Sequence, residues 1–254
     1  MNHSVLRAAD ILELFAASAE SLTVSEVARA LDIPKSSAFD ILAALSQKGF
    51  LRMDDPKAKT YSLGISAYRV GMAYIGRMDL YTAAHGLLAA LCRQLGQTVY
   101  LAVPEGDHVV YVDKLESDSP IRFTMRAGNK NPMYCTGLGK AILSCREEAE
   151  VRSLIGEPLP FRTETTLTTM DALLADLALT RTRGYALDLG EDNALLRCLA
   201  VPVRQADGEC IAAISTSMLA SDFQQQDPDQ LGALLTQTAL AISHSLGYDR
   251  NSLF

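Results

Sequence analysis

The sequence lacks any apolar run near the roughly 20 residues that span a bilayer, which excludes an integral membrane protein. Cysteine is scarce: the five thiols are scattered over 254 residues without a CxxC pair, so a disulfide framework is not expected. The first ten residues, MNHSVLRAAD, lack the charged, apolar and small-residue order of a signal peptide. We therefore expect a protein of the cytoplasm.

The chain also has little positive charge. Its net charge is −7, which argues against a general nucleic-acid binder. The charge is unevenly distributed, however, because residues 1–78 hold nine basic and eight acidic side chains, whereas residues 79–254 hold 14 and 22. This asymmetry predicts two parts with different partners. A hydrophobic content of 48% with 21% charged residues is typical of globular domains and excludes extensive disorder.

The N-terminal part has the order of a helix-turn-helix. Apolar residues at helical spacing predict a first helix over 5–17. Thr23 and Glu26 form a capping box that opens a second helix. After a short turn, Pro34 suits the start of a third helix, and Gly49 is placed to end it. Two short helices joined by a turn of about three or four residues predict this motif.

The third helix presents small polar groups on the side opposite its apolar face. That surface suits insertion into a major groove, with hydroxyls and first-turn amides facing phosphate. The outward Asp40 repels phosphate but accepts a hydrogen bond from cytosine N4, and Phe39 either meets a thymine methyl or packs beneath the next segment. The candidate DNA contacts on this helix are Lys35, Ser36, Ser37, Phe39 and Asp40.

A basic hairpin follows the third helix. Short strands are predicted near 50–53 and 59–63, around a turn through residues 54–56. Arg52, Lys57 and Lys59 lie on this hairpin, which predicts a wing whose basic groups contact the DNA backbone. The alternative is a small helical subdomain with a hairpin and no role in DNA binding.

Residues 65–78 predict a connecting helix. Ile65, Tyr68, Met72 and Ile75 alternate at steps of three and four, the spacing of a coiled-coil seam over only two heptads. This helix either pairs with its twin in a dimer or packs against its own domain.

The remaining residues, 79–254, predict an α+β domain. A helix near 80–95, a hairpin over 98–113 and a strand near 121–125 precede further helices, three more strands and a last helix near 228–246.

The stretch from Tyr134 to Ala141, YCTGLGKA, is the most informative part of this domain. A phosphate loop is excluded because Tyr134 replaces the first glycine and Ala141 replaces Ser/Thr, and Ile142 excludes a dinucleotide fingerprint. What remains is a glycine-bearing loop before a helix, whose free amides suit an anion such as a carboxylate. The alternative is a tight helix entry without a ligand. The candidate residues of this loop are Thr136, Gly137, Leu138 and Gly139.

No catalytic or metal-binding pattern is present. The four histidines are far apart, and neither G-x-S-x-G nor H-E-x-x-H occurs. Pairs such as Cys135 with His85 or His108 arise by chance in most chains of this length. We expect no enzyme, no metal and no cofactor. The competing hypothesis is an enzyme or small-molecule-binding protein whose N-terminal helices serve only for dimerisation.

The order of these elements resembles one protein family. The segments IPKSS (33–37), ILxxL (41–45), GFL (49–51) and YSLG (61–64), together with the 134–141 and 184–217 segments, look like the IclR family of bacterial transcriptional regulators. Members of the family often carry a basic residue where Asp40 stands, which puts the operator sequence in doubt. The resemblance implies a winged helix-turn-helix domain (1–64), a linker helix (65–78) and a GAF-like effector-binding domain (79–254) with an antiparallel sheet and packed helices.

The resemblance also implies a ligand site and partners. The 134–141 stretch corresponds to the family's pocket motif, and four residues match positions that bind small 2-oxo acids in some members: Asp188, Cys198, Ser215 and Ser217. Hydroxyls and a thiol donate to a carboxylate and Asp188 accepts from a hydroxyl, while Met125, Met133 and Leu138 form an apolar wall. Cys198 equally fits a core position, and Asp188 a turn cap. The implied partners are a palindromic double-stranded DNA operator, a small organic acid such as a 2-oxo or sugar acid, and a second copy in a homodimer, with a tetramer also possible. The implied activity is repression.

Overall fold

The computed structural model describes residues 3–18, 20–75, 79–118 and 125–254. The chain divides into two compact units, residues 1–78 and 79–254. Within the described ranges, no helix is both long and apolar enough to cross a membrane.

The N-terminal unit consists of four helices and a small antiparallel sheet. Its elements are α1 (His3–Ala17), β1 (Leu22–Thr23), α2 (Val24–Ala30), α3 (Lys35–Gln47), β2 (Leu51–Asp55), β3 (Thr60–Leu63) and α4 (Ile65–Ile75). The sheet order is β1-β3-β2. The hairpin formed by β2 and β3 follows the sequence prediction, but the two-residue strand β1 was not predicted because it is too short to show an alternating pattern.

Local signals set the helix boundaries of this unit. Thr23 Oγ1 accepts the Glu26 amide at 3.3 Å while the Glu26 carboxylate accepts the Thr23 amide at 2.8 Å, so the capping box is confirmed. Helix α3 begins at Lys35, one residue after the predicted Pro34, which serves as its N-cap. Gly49 follows α3 with φ +73°, a left-handed conformation that glycine adopts without steric cost.

Helix α3 is held in place by its inward-facing side chains. Ala38 and Leu42 are fully buried with Ile11 of α1, Val27 of α2 and Tyr61 of β3. This core fixes which side of α3 faces solvent.

In the C-terminal unit, the described residues form a six-stranded antiparallel sheet of order β6-β5-β4-β9-β8-β7. The α+β prediction is therefore confirmed. The predicted strand near 121–125 falls largely on residues 121–124, which lie outside the described residues. The elements of this unit are α5 (Asp79–Leu95), β4 (Thr98–Glu105), β5 (His108–Leu115), β6 (Lys130–Pro132), α6 (Gly137–Leu143), α7 (Glu148–Ile155), α8 (Met170–Arg183), β7 (Ala186–Asp188), β8 (Leu196–Arg204), β9 (Cys210–Leu219), α9 (Ala220–Phe223) and α10 (Pro228–Ser245).

Helices cover both faces of this sheet. On one face, Tyr100 and Ala102 of β4, Ala200 of β8 and Ala213 of β9 form a core with α6, α7 and α8. Residues of opposite parity point to the other face, where α10 packs on β8 and on α5. The two faces differ in that the α6 side leaves space for a cavity.

Candidate nucleic-acid interface and ligand cavity

The outward side of α3 is open to solvent. Lys35, Ser36 and Asp40 are exposed, Ser37 is half-buried, and Phe39 retains 39% of its accessible surface. The five residues predicted to contact DNA from this helix therefore lie together around its N-terminal half.

Phe39 and Lys59 connect the helix to the hairpin. The Lys59 ammonium lies 4.9 Å from the centroid of the Phe39 ring, within cation–π range. Lys59 has φ +52°, a left-handed backbone conformation, and is the last residue of the hairpin turn before β3. Phe39 is thus neither a free apolar tip nor a fully buried core residue, but a half-covered ring beneath a lysine.

The three basic residues of the hairpin differ in their surroundings. Arg52 Nε lies 2.8 Å from Asp54 Oδ1, so its charge is largely compensated. A hydrogen bond from Ser21, together with Arg52, holds the pKa of Asp54 below its ordinary value. Lys57 is exposed at the turn, where the Asp55 carboxylate accepts its backbone amide at 2.7 Å.

A cavity of about 270 Å³ lies within the C-terminal unit, on the α6 side of the sheet. Its wall draws on β4, β5, β6, α6, β8, β9 and the segment after β7. We call it the ligand cavity and define it by its lining: Tyr100, Tyr111, Met125, Asn131, Thr136, Gly137, Leu138, Asp188, Asp192, Asn193, Leu195, Leu196, Cys198, Ser215, Ser217 and Leu219.

Most of the residues singled out in the sequence meet at this lining. They come from segments up to 92 positions apart, from Met125 to Ser217. Two do not reach it. A Cβ on Gly139 would lie 2.2 Å from Met133 Cα, so Gly139 serves close packing of α6 on the preceding loop. Met133, expected in the apolar wall, is fully buried outside the lining.

The entry to α6 is held by Thr136. Its hydroxyl accepts the Gly139 amide at 3.2 Å and donates to the Pro132 carbonyl at 3.0 Å. The side chain thereby caps the helix while still facing the cavity. Gly137 lies opposite β8, where an added Cβ would meet Cys198 Cβ at 3.4 Å.

Asp188 lies at the end of β7 and is only 3% exposed. Its Oδ1 accepts the amides of Gly190 and Glu191 at 2.9 and 2.7 Å, so the side chain caps a turn. Burial raises the pKa of Asp188 to about 6, against the lowering effect of these amides and of Lys140. The carboxyl group therefore both shapes the turn and lines the cavity.

Two neighbouring strands supply a group of neutral hydrogen-bonding side chains. Cys198 and Ser217 are directly opposite in the β8–β9 register, with Sγ and Oγ 3.0 Å apart. Ser215 is opposite both Ala200 and Tyr100 and is 2% exposed. Burial raises the pKa of the Cys198 thiol, so it stays protonated and able to donate at neutral pH.

The lysine of the Gly-Lys pair lies behind the cavity rather than in it. Lys140 is 1% exposed and forms ion pairs with Glu191 and, at 2.9 Å, with Asp176. Burial lowers the pKa of Lys140, but the two carboxylates outweigh that effect and hold it above its ordinary value. The described lining thus holds two acidic side chains, Asp188 and Asp192, and no basic one.

Sequence reasoning missed half of the cavity wall. Tyr100 and Tyr111 contact each other edge-on, with ring centroids 5.4 Å apart, and Asn131 donates to Asp192 at 3.0 Å. Tyr100 shares a sheet face with Ser215, but this follows only from the β4–β9 register, which the sequence does not show.

The histidines do not approach Cys135 in the described structure. His85 Nδ1 pairs with Asp113 and His108 Nδ1 with Asp107, each at 2.7 Å. Burial raises the pKa of Cys135 to about 12, which makes it a poor nucleophile.

Two family models match the chain. The IclR helix-turn-helix domain matches residues 4–55, and the C-terminal domain of the bacterial transcriptional regulator IclR matches residues 72–244. The chain belongs to the IclR family of bacterial transcriptional regulators. It is therefore a DNA-binding transcriptional regulator rather than an enzyme, which sets aside the hypothesis that its N-terminal helices serve an enzyme.

Similar full-length proteins agree with this assignment. The chain is 34% identical over 246 residues to the HTH-type transcriptional regulator XynR of Escherichia coli K12, covering 96% of this chain and 97% of that protein. It is 33% identical over 238 residues to the HTH-type transcriptional repressor AllR of the same strain, covering 93% and 88%. The crystal structure of Thermotoga maritima IclR superposes with a TM-score of 0.78 at 30% identity, covering 98% of this chain and all of that one. The winged helix-turn-helix and effector-domain fold predicted from the sequence is confirmed.

Proposed function

We propose that this regulator is a cytoplasmic repressor that binds a palindromic operator as a homodimer and changes its DNA affinity when a small organic acid occupies the ligand cavity. The observation that carries the proposal is the cavity itself, a small space into which neutral donors and one buried carboxyl group converge. Repression is favoured because AllR, a relative at 33% identity, is named as a transcriptional repressor.

On the DNA side, α3 enters the major groove and the hairpin contacts the backbone. Lys35, Ser36 and Ser37 face phosphate, whereas Asp40 and the partly covered Phe39 face base edges. From the hairpin, Lys57 makes the stronger phosphate contact, because Arg52 is already paired with Asp54. Lys59 contacts the DNA backbone from its position over the Phe39 ring.

The homodimer is supported by α4. Ile65, Tyr68 and Met72 keep 69%, 63% and 47% of their accessible surface, so the seam predicted from the sequence is not covered within the described N-terminal unit. The last predicted linker residues, 76–78, lie outside the described residues. Pairing of two such helices gives a two-fold dimer, whose recognition helices require a palindromic site, and a tetramer follows if two dimers associate.

The chemistry of the cavity fits a small acid. Ser215, Ser217 and Cys198 donate to ligand oxygens, as do the first amides of α6. Asp188 accepts from a ligand hydroxyl when ionised. When protonated it shares its proton with a ligand carboxylate, and a pKa of about 6 makes both forms accessible. The apolar part of the wall, including Met125 and Leu138, limits the ligand to a small carbon skeleton.

The proposal is tested by DNA binding and ligand response in the same protein. A promoter fragment from the neighbouring genes is titrated across a salt series, and steep loss of affinity with salt is expected. Glyoxylate, pyruvate, gluconate and benzoate are then screened by thermal shift, because a bound ligand raises the melting temperature. The acid that stabilises the protein should weaken its binding to the fragment.

Variants of the cavity separate the two activities. Asp188→Ala and Ser217→Ala should bind DNA like the wild type but lose the ligand response. Ser245→Ala, an exposed serine on α10, is the matched control. The acid should bind the wild type more tightly at about pH 5.5 than at about pH 7.5, because Asp188 is then largely neutral, whereas Asp188→Asn, which is neutral at both pH values, should bind it without this dependence. An intact response in Asp188→Ala and Ser217→Ala would show that the effector binds elsewhere.

A further inference from the structure

A second cleft in the C-terminal unit has the opposite electrostatic character to the ligand cavity. It measures about 790 Å³ and shares no lining residue with the ligand cavity. Four arginines line it: Arg146 after α6, Arg181 and Arg183 at the end of α8, and Arg204 at the end of β8. We call it the arginine cleft.

Two of these guanidinium groups are held in place by backbone carbonyls. Arg181 donates to the carbonyls of Ser144 at 2.7 Å and Arg146 at 2.9 Å. Arg204 donates to those of Leu253 at 2.6 Å and Gly208 at 2.5 Å. Each guanidinium carries five N–H donors, so several remain after these bonds. The groups are therefore pre-organised without being neutralised.

The acidic side chains of the cleft are engaged with other partners. Glu147 caps α7 in a capping box with Glu150. Glu148 pairs with Arg152 at 2.9 Å, outside the cleft. Among the described residues, Arg183 alone of the four arginines approaches a carboxylate, Asp176 at 3.5 Å. The cleft thus keeps an excess of positive charge.

The thiol of Cys145 lines the same cleft and is therefore exposed to the positive charge of these arginines. A hydrogen bond from Cys210 and the guanidiniums of Arg204 and Arg181 hold the pKa of Cys145 below its ordinary value despite burial. The pKa values of the other four cysteines are all raised. Arg204 and Arg181 thus add to the larger effect of Cys210 on a thiol that lines the cleft.

We propose that the arginine cleft is a second small-molecule site that binds a multivalent anion of the phosphate-ester class. Planar guanidiniums bind phosphate oxygens in pairs, and several fixed arginines favour a ligand with two or more charges. The described lining of the ligand cavity has the opposite character, with two acidic side chains and no basic one. The regulator thereby has room for two chemically distinct signals on one domain.

Inorganic pyrophosphate is the probe, with binding measured by calorimetry and thermal shift at constant ionic strength. Removing one charge-assisted contact should weaken binding about tenfold in Arg146→Gln and in Arg181→Gln. The Arg146 side chain makes no bond in the described structure, so its loss does not threaten folding. Arg93→Gln on α5 removes the same charge outside the cleft and should bind like the wild type.

A second measurement locates the bound anion. Carbamidomethylation of Cys145 by iodoacetamide, followed by mass spectrometry, should be slowed several-fold by pyrophosphate in the wild type and in Arg93→Gln, but not in Arg146→Gln. Equal stabilisation of all variants, absent stabilisation, or unprotected Cys145 would each overturn the site. Citrate that binds as tightly as pyrophosphate would overturn the phosphate-ester class.

Discussion

The N-terminal unit carries its candidate functional groups on an exposed surface, whereas the C-terminal unit carries them in a cavity. In the N-terminal unit, the candidate DNA contacts lie on the outside of one helix and one hairpin, within residues 35–59. In the C-terminal unit, the candidate ligand contacts point inward and come from strands and helices far apart in the chain. An outward site tolerates charge because water solvates it, whereas an inward site requires each polar group to be paired or neutral.

This difference explains the residue types in each place. The exposed site uses lysines, which carry their charge into solvent and lose little by being unpaired. The inward-facing site uses hydroxyls, a protonated thiol and a carboxyl group with a raised pKa, and Lys140 is buried behind it between two acidic side chains. The comparison predicts that substitutions behind the cavity cost stability, whereas substitutions on the DNA side cost only binding.

The largest effect is expected at Lys140. Lys140→Met removes the cation of Glu191 and leaves Asp176 with only Arg183 at 3.5 Å, and it should lower the free energy of unfolding by about 3–5 kcal/mol. Urea denaturation followed by circular dichroism measures the change. Lys130→Met, which removes a half-exposed lysine paired with Glu105, is the control and should change stability by less than about 1 kcal/mol. Similar losses in both variants would contradict the contrast between buried and exposed charge.

An intermediate effect is expected within the glycine motif. Gly139→Ala places a Cβ against the backbone of Met133 and should cost about 1–3 kcal/mol of unfolding free energy. Gly137→Ala has room beside Cys198 and should change stability by less than about 1 kcal/mol. Its added methyl group nevertheless enters the cavity wall, so it should weaken the ligand response measured by thermal shift. A stable Gly139→Ala protein would show that α6 can shift away from Met133.

The smallest effect is expected on the hairpin and concerns only DNA binding. Lys57→Ala should weaken binding to all sequences and reduce the slope of log affinity against log salt by about 1. Arg52→Ala should change the slope less, because Asp54 already compensates the guanidinium. Fluorescence anisotropy with a labelled fragment measures both slopes. Equal slopes for the two variants would indicate that Arg52 leaves Asp54 when DNA binds.

Features formed by residues close in the sequence could be predicted, whereas features formed by distant segments could not. The capping box of α2, the left-handed Gly49 and the exposed side of α3 follow from interactions within a few residues, so local sequence predicts them. The strand β1 and the roles of Tyr100 and Asn131 depend on pairing between distant segments. Gly139 shows that the sequence could not assign a role to every residue of the glycine motif. It was predicted to contact a ligand, but the structure shows that it packs closely against Met133.

The sequence by itself determined most of the helices and the longer strands, the two-part charge distribution and the family, because periodicity, caps and glycines act over short distances. Only the tertiary structure decided that Lys140 is buried away from the cavity and that four arginines from three segments of the chain meet in one cleft. The physical reason is that electrostatic environment depends on which side chains share a volume, and strand register and helix packing set that volume only after the chain has folded.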